Sequence, residues 1–266
     1  GATPMQPRLP ATSPPGIAQP VDGGPRPDPA ATGMLAQVVE ARHGIFQYVP
    51  DRTVEARALV WYGEHLQSHL DLVAQLLRPG AWVVEVGSGI GVHAVPLARM
   101  TGAPGHLIAY ENCADRRRLL RQNIEANRLD AVTTIMRRTA AGGATSPQHD
   151  EGSVQSHLPP TTMQVDGDPG ETIDDLQLGR LDLLKVLSGD ARKVIAGSAE
   201  SLWRLRPLVL CAVPDDRSLE ALFEQVRGFG YRCWAVATPY FDMHNFNARA
   251  DDVFAGVARM IGRGFT

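Results

Sequence analysis

Apolar and polar positions follow two periods along the chain. Six short apolar runs, Trp82–Val86, His106–Tyr110, Val132–Met136, Leu181–Leu187, Pro207–Val213 and Tyr231–Ala237, have strand length and read as buried strands. Between them, Val92–Met100, Ala114–Leu129, Ala191–Leu205 and Arg217–Gly228 space their apolar residues as helices do. Upstream, Leu66, Leu70, Val73, Leu76 and Leu77 share one face of a helix expected over Trp61–Leu77, which Pro79-Gly80 ends. A short strand is expected at Gly44–Val49, with Asp51 placed to cap the segment after it. Repetition of strand, helix, strand predicts an α/β fold with a doubly wound, mainly parallel sheet.

Two stretches fall outside this pattern. Residues 1–33 hold nine of the 20 prolines with scattered Gly, Ala and Asp, a composition without material for a packed core, so a disordered Pro-rich tail is expected. Residues 140–171 are polar and rich in Gly, Ser and Pro, and read as a variable loop, long enough to need a function such as covering a substrate. The expected organisation is therefore a tail over 1–33, a strand and helix extension over 34–80, and a ligand-binding domain over 81–266.

Composition narrows the function classes. With 266 residues, 44% of them hydrophobic, the chain can bury a sizeable core. A net charge of -3 provides no basic field for nucleic acid or an anionic membrane. The absence of an apolar run of membrane-spanning length and of a signal-peptide pattern leads to the expectation of a soluble, cytoplasmic protein. Cys113, Cys211 and Cys233 lack the spacing of a disulfide framework or a zinc site. The sequence does not set the oligomeric state.

Candidate chemistry concentrates in Trp82–Gly91, where an apolar strand with one acid runs into three alternating glycines. Glycines at a strand end let the backbone turn tightly and approach a ligand, with helix N-terminal amides facing it. In open α/β sheets ligands bind outside the carboxyl ends of the strands. The dinucleotide fingerprint places its third glycine where this chain has Val92, which disfavours NAD. Glu85 stands where a carboxylate can meet a cationic group, and S-adenosylmethionine carries one in its ammonium. Glu111 ends the next strand, where a carboxylate can take both ribose hydroxyls. Gly87, Ser88, Gly89 and Gly91 would form the cradle, with Asn112 beside Glu111.

A longer series of motifs then carries a family resemblance. Tyr62-Gly63-Glu64, Arg78-Pro79-Gly80, Glu85–Gly91, Gly105–Glu111, Asn123 and Asn127, Thr172–Leu176, Leu181–Lys185, Arg206-Pro207 and Asn245-Phe246 resemble, in order, the motifs of FkbM-type S-adenosylmethionine-dependent methyltransferases. The resemblance covers about residues 44 to 256. It implies the class I methyltransferase (Rossmann-like) fold, with seven strands and an antiparallel last hairpin. S-adenosyl-L-methionine would be the cofactor and S-adenosyl-L-homocysteine the product. The acceptor would be a hydroxyl of a sugar, a glycan or another small molecule. Tyr62 and Glu64 match a segment that closes over the cofactor.

The chain departs from that pattern after Lys185. The family shows K-I-D-V-E-G-A-E, whereas Lys185–Arg192 lacks both inner acids, Leu187 standing where the first should be, and Ala212 replaces a further acid. Asp190 remains there, either as a substitute acid or as a helix cap. Methyl transfer tolerates such losses because the cofactor already carries an activated methyl group and positioning supplies much of the rate. Candidate bases are His93 and His244, each with packing or surface exposure as the plain alternative. With one carboxylate at this turn, no metal site and metal-independent transfer are expected. The competing reading is a catalytically degenerate methyltransferase-like binding or scaffold module.

Overall fold

The computed structural model describes residues 35–50, 53–136, 172–187, 190–213, 215–256 and 258–265. The tail expected over 1–33, Asp51 as a cap, and the loop expected over 140–171 all lie outside these residues.

The chain begins with a hairpin, β1 (Gln37–Ala41) and β2 (Gly44–Tyr48), followed by helices α1 (Val54–Tyr62) and α2 (Gln67–Leu76). Then come β3 (Trp82–Val86), α3 (Ala94–Thr101), β4 (His106–Tyr110), α4 (Ala114–Ala126) and β5 (Thr133–Met136). The second half holds β6 (Leu183–Val186), α5 (Ala191–Ala196), α6 (Ala199–Leu205), β7 (Leu208–Val213), α7 (Asp216–Arg227), β8 (Arg232–Pro239) and β9 (Ala258–Phe265). Among the described residues seven strands form one sheet in the order β5-β4-β3-β6-β7-β9-β8. It is parallel from β5 to β7, and β9 enters antiparallel between β7 and β8. This is the doubly wound architecture that the alternation of strand and helix predicts, and the order reverses beside β3, where such folds bind ligands.

Strand periodicity sends alternate side chains into two cores. Val83, Leu107, Leu183 and Leu210 pack with α2, α3 and α4 on one face. Val84, Val86, Ile108, Leu184 and Val209 pack with α5, α6 and α7 on the other. Glu85 shares the first face with Val83, and the parallel register sets it beside Lys185 of β6.

Two expected helices are each two helices. The one expected over Trp61–Leu77 breaks at Gly63, whose φ of 70° makes it the left-handed cap of α1. A Cβ there would also strike the Phe246 ring. Before that break α1 extends back to Val54, with Thr53 as its N-cap accepting from Ala56 N–H. The helix expected over Ala191–Leu205 divides at Gly197 and Ser198.

The hairpin docks on α4 through two asparagines. Asn123 accepts from Gln47 N–H at 2.6 Å and donates to Gln47 C=O at 3.0 Å, while Asn127 makes the same pair of bonds with Ile45. Side chains four apart on a helix match alternate residues of a strand edge in spacing. Asn123 also donates to Ile90 C=O at 2.7 Å and so ties the hairpin to the glycine loop. Among the described residues no helix is long and apolar enough to cross a membrane.

Candidate functional site

The strand end of β3 turns through Gly87, Gly89 and Gly91, with φ of 81°, 56° and 98°. L-residues with a Cβ rarely adopt these values, which is why glycine stands here. Gly87 and Ser88 N–H both donate to Tyr110 C=O at 3.0 Å, holding the loop against the end of β4. Gly91 also sits so close to α4 that a Cβ would lie 2.9 Å from Leu120 Cδ1.

Under this loop lies a buried charged floor. Lys185 Nζ stands 2.9 Å from Glu85 Oε1 and 2.7 Å from His93 Nδ1, and all three side chains are buried. His93 Nε2 lies 2.6 Å from His65 C=O. A lysine ammonium donates, so His93 accepts at Nδ1 and carries its proton on Nε2. Burial, and then the Lys185 charge, hold its pKa well below the usual histidine range. His93 is therefore a neutral packing element with both nitrogens committed, and the candidate role as a base does not fit this position. Glu85 Oε2 is buried with no hydrogen-bond partner.

Above the loop lies a rim. Glu111 accepts from Gly89 N–H at 2.8 Å through Oε2, and through Oε1 from Cys113 N–H at 2.9 Å and Arg116 Nε at 3.3 Å. A carboxylate has about four acceptor positions, so Glu111 keeps capacity for one further donor. Arg117 donates to the backbone carbonyls of Glu111 and Asn112. Arg116 and Arg117 thus serve the strand end, whereas Arg118 is exposed. Asn112 itself is exposed on the rim.

Other candidates are committed elsewhere. Tyr62 OH donates to Asp251 C=O and accepts from Val253 N–H, and its ring packs on Phe241 and Phe254. Glu64 accepts from Arg42 Nε at 2.6 Å and from Phe246 N–H at 3.0 Å. Both therefore latch the segment after β8 onto α1 and β1, rather than reaching the glycine loop through these bonds. His244 is exposed within this segment, its Nδ1 3.5 Å from Asp242. Asp190 is the N-cap of α5, accepting from Arg192 and Lys193 N–H. Asp174 accepts from Glu200 and Ser201 N–H, capping α6. Among the described residues no three His, Cys, Asp or Glu side chains group as metal ligands.

Sequence reasoning passes over two residues. Glu55, in the first turn of α1, lies against Gly89. His65 stacks on Tyr240 with ring centroids 5.7 Å apart and adjoins His93. Neither carries a motif; only the tertiary approach of α1 and α2 to the loop shows them.

Comparison with known proteins agrees with this geometry in the cofactor half. The family model of protein-L-isoaspartate(D-aspartate) O-methyltransferase matches residues 62–150. The protein-L-isoaspartate O-methyltransferase of Methanothrix thermoacetophila is 32% identical over 83 residues, which is 31% of this chain and 40% of that relative. An S-adenosylmethionine-dependent O-methyltransferase structure from Thermotoga maritima superposes with a TM-score of 0.51 at 16% identity, covering 86% of this chain and 77% of that one. The fold is the class I methyltransferase fold, whose cofactor is S-adenosylmethionine and whose product is S-adenosylhomocysteine.

These matches correct two expectations. The resemblance to the FkbM type is overturned, because the family that matches is that of protein-L-isoaspartate O-methyltransferases. With it falls the sugar, glycan or small-molecule acceptor. The physical reason lies in the motifs: Glu85–Gly91 and Glu111 shape the strand ends where such folds bind ligands and carry no information about the acceptor. Asn123, Asn127, Glu64 and Phe246 serve hairpin and segment docking.

Proposed function

We propose that this chain is an S-adenosylmethionine-dependent methyltransferase that esterifies a carboxyl group of a protein substrate, with the L-isoaspartyl side of that chemistry as the reading to test first. The observation that carries it is the overlap of the matched segment, residues 62–150, with the glycine loop and Glu111. The residues present fit the cofactor. The loop turns on three glycines at positive φ at the end of β3, Glu111 has an acceptor position to spare, and Glu85 Oε2 is a buried oxygen awaiting a donor. The loop backbone and Glu85 would hold the amino-acid end, and Glu111 the ribose.

When bound, the cofactor supplies a methyl group on a positively charged sulfur. What remains for the protein is to hold the acceptor and exclude competing water. A carboxylate acceptor suits this chain, since it is already ionised at neutral pH and needs no base. A hydroxyl acceptor would ask for one. His93 has both nitrogens engaged, His244 is exposed beside Asp242, and Asp190 spends Oδ1 on a helix cap with Oδ2 beside Lys193 Nζ.

The test is transfer of labelled methyl from S-adenosylmethionine to paired peptides, one containing an isoaspartyl residue and one the ordinary aspartyl residue. Base-labile label on the isoaspartyl peptide alone is expected. Tight cofactor binding with no ester on any peptide or protein would instead favour a non-catalytic binding module.

A further inference from the structure

Glu55 comes to the glycine loop from outside it. A Cβ at Gly89 would lie 2.5 Å from Glu55 Oε2 and 2.8 Å from Oε1, so the carboxylate rests directly on the loop. It accepts from Ile90 N–H, and the charges facing it are Arg116 of α4, Glu111 at the end of β4 and Glu85 at the end of β3. Each nearby cation already has a partner: Arg116 pairs with Glu111, and Lys185 with Glu85. Three carboxylates thus meet around one loop with two committed cations.

A second, independent feature points the same way. Glu85 is fully buried, and its Oε2 has no hydrogen-bond partner. Carboxylate excess together with an unsatisfied buried oxygen is costly by itself and is relieved by a cation. Burial, only partly offset by Arg116, pushes Glu55 up to about 7, as expected for an acid lacking a cation of its own.

We propose that Glu55 reads the charge of the ligand in this cradle, favouring the cationic sulfonium cofactor over the neutral thioether that methyl transfer leaves behind. The inference rests on the S-adenosylmethionine reading of the site. S-adenosylhomocysteine differs from S-adenosylmethionine by loss of the methyl group and of the sulfonium charge. A carboxylate on the glycine loop therefore holds the cofactor more strongly than the product, whereas a neutral side chain would hold the two more nearly alike. Glu55 lies in α1, outside the matched segment.

The experiment is calorimetric titration of S-adenosylmethionine and S-adenosylhomocysteine, separately, into the wild-type chain and into Glu55→Gln. The substitution keeps the size of the side chain and an oxygen for Ile90 N–H. Affinity for S-adenosylmethionine is expected to fall about tenfold, the size of one lost charge-assisted contact, with less than about a twofold change for S-adenosylhomocysteine. In the wild type the preference for S-adenosylmethionine is expected to shrink as the pH is lowered through about 7, where Glu55 takes up a proton. That arm needs no variant. Equal losses for both ligands, unchanged affinities, a gain for both, or a preference that ignores pH would overturn the proposal. If the wild type binds neither ligand, the cofactor reading itself fails, and this inference with it.

Discussion

The floor under the glycine loop and the rim above it are both built from acids at the ends of adjacent parallel strands, yet they do different work. Glu85 on the floor is fully buried, and one oxygen is spent on Lys185, which also reaches His93. Glu111 on the rim is also buried, at 4% exposure, but it organises backbone amides, among them Gly89 N–H, and keeps an acceptor position. A buried ion pair gains little net stability but is costly to break, because the remaining charge has no water. A carboxylate held mainly by backbone amides, with an acceptor position to spare, can take a further donor without giving up those it has. Equivalent positions in the sequence pattern therefore need not be equivalent sites, and the neighbouring strand decides which is which.

Breaking the floor is expected to have the largest effect. Lys185→Met leaves Glu85 buried without its cation and His93 without a donor, and should cost about 3 to 5 kcal/mol of folding stability. Denaturant unfolding measures it. A loss confined to cofactor affinity, with stability unchanged, would mean that the pair serves binding alone.

Asn123→Ala comes next, because this side chain joins the hairpin to the loop through Gln47 and Ile90. Leaving those backbone groups without a partner should cost about 2 to 3 kcal/mol, read from the same unfolding curves. No change would show that the hairpin docks without it.

Glu111→Ala probes the rim. S-adenosylmethionine binding should weaken by about 1 to 3 kcal/mol, the cost of a lost charge-assisted hydrogen bond, with a smaller effect on unfolding than Lys185→Met. Should stability collapse while affinity holds, the roles of floor and rim would be reversed.

His244→Ala gives the smallest effect, since the side chain is exposed and its contact with Asp242 is long. Stability and methyl transfer should both stay within about 0.5 kcal/mol of wild type. A large fall in turnover would restore His244 as a base.

How much the sequence reveals follows the same division. The cofactor half is legible because its information is local: β3, β4, α4 and β5 each carry an unbroken period, and the glycine loop needs glycine for its own φ values. Elements defined by distant partners are not. The strand β1, Gln37–Ala41, is largely exposed and is held by its pairing with β2. The strand β9 contains Gly262 and Gly264, and fits between β7 and β8 because side chains of α7, and Tyr231 just before β8, crowd those glycines. The helix break at Gly63 comes from the close approach of Phe246, far along the chain.

The site divides likewise. Glu85 and Lys185 are both visible in their motifs, but their pairing across 100 positions follows only from strand register. Glu55 is an ordinary first-turn acid until α1 folds onto Gly89. The acceptor is misread from sequence because motifs that bind a shared cofactor constrain the shared half alone.

The most direct measurement of the central claim, that the loop after β3 is the S-adenosylmethionine cradle, is calorimetric titration of that cofactor into the wild type and Gly89→Val. Gly89 sits at a φ of 56°, and a branched side chain there would enter the space occupied by the Glu55 carboxylate. Strain of about 1 to 2 kcal/mol is too small to unfold an ordinary domain. Saturable binding by the wild type, with none detectable in a variant that still unfolds cooperatively, is the result predicted. Equal affinity in the two proteins would contradict it.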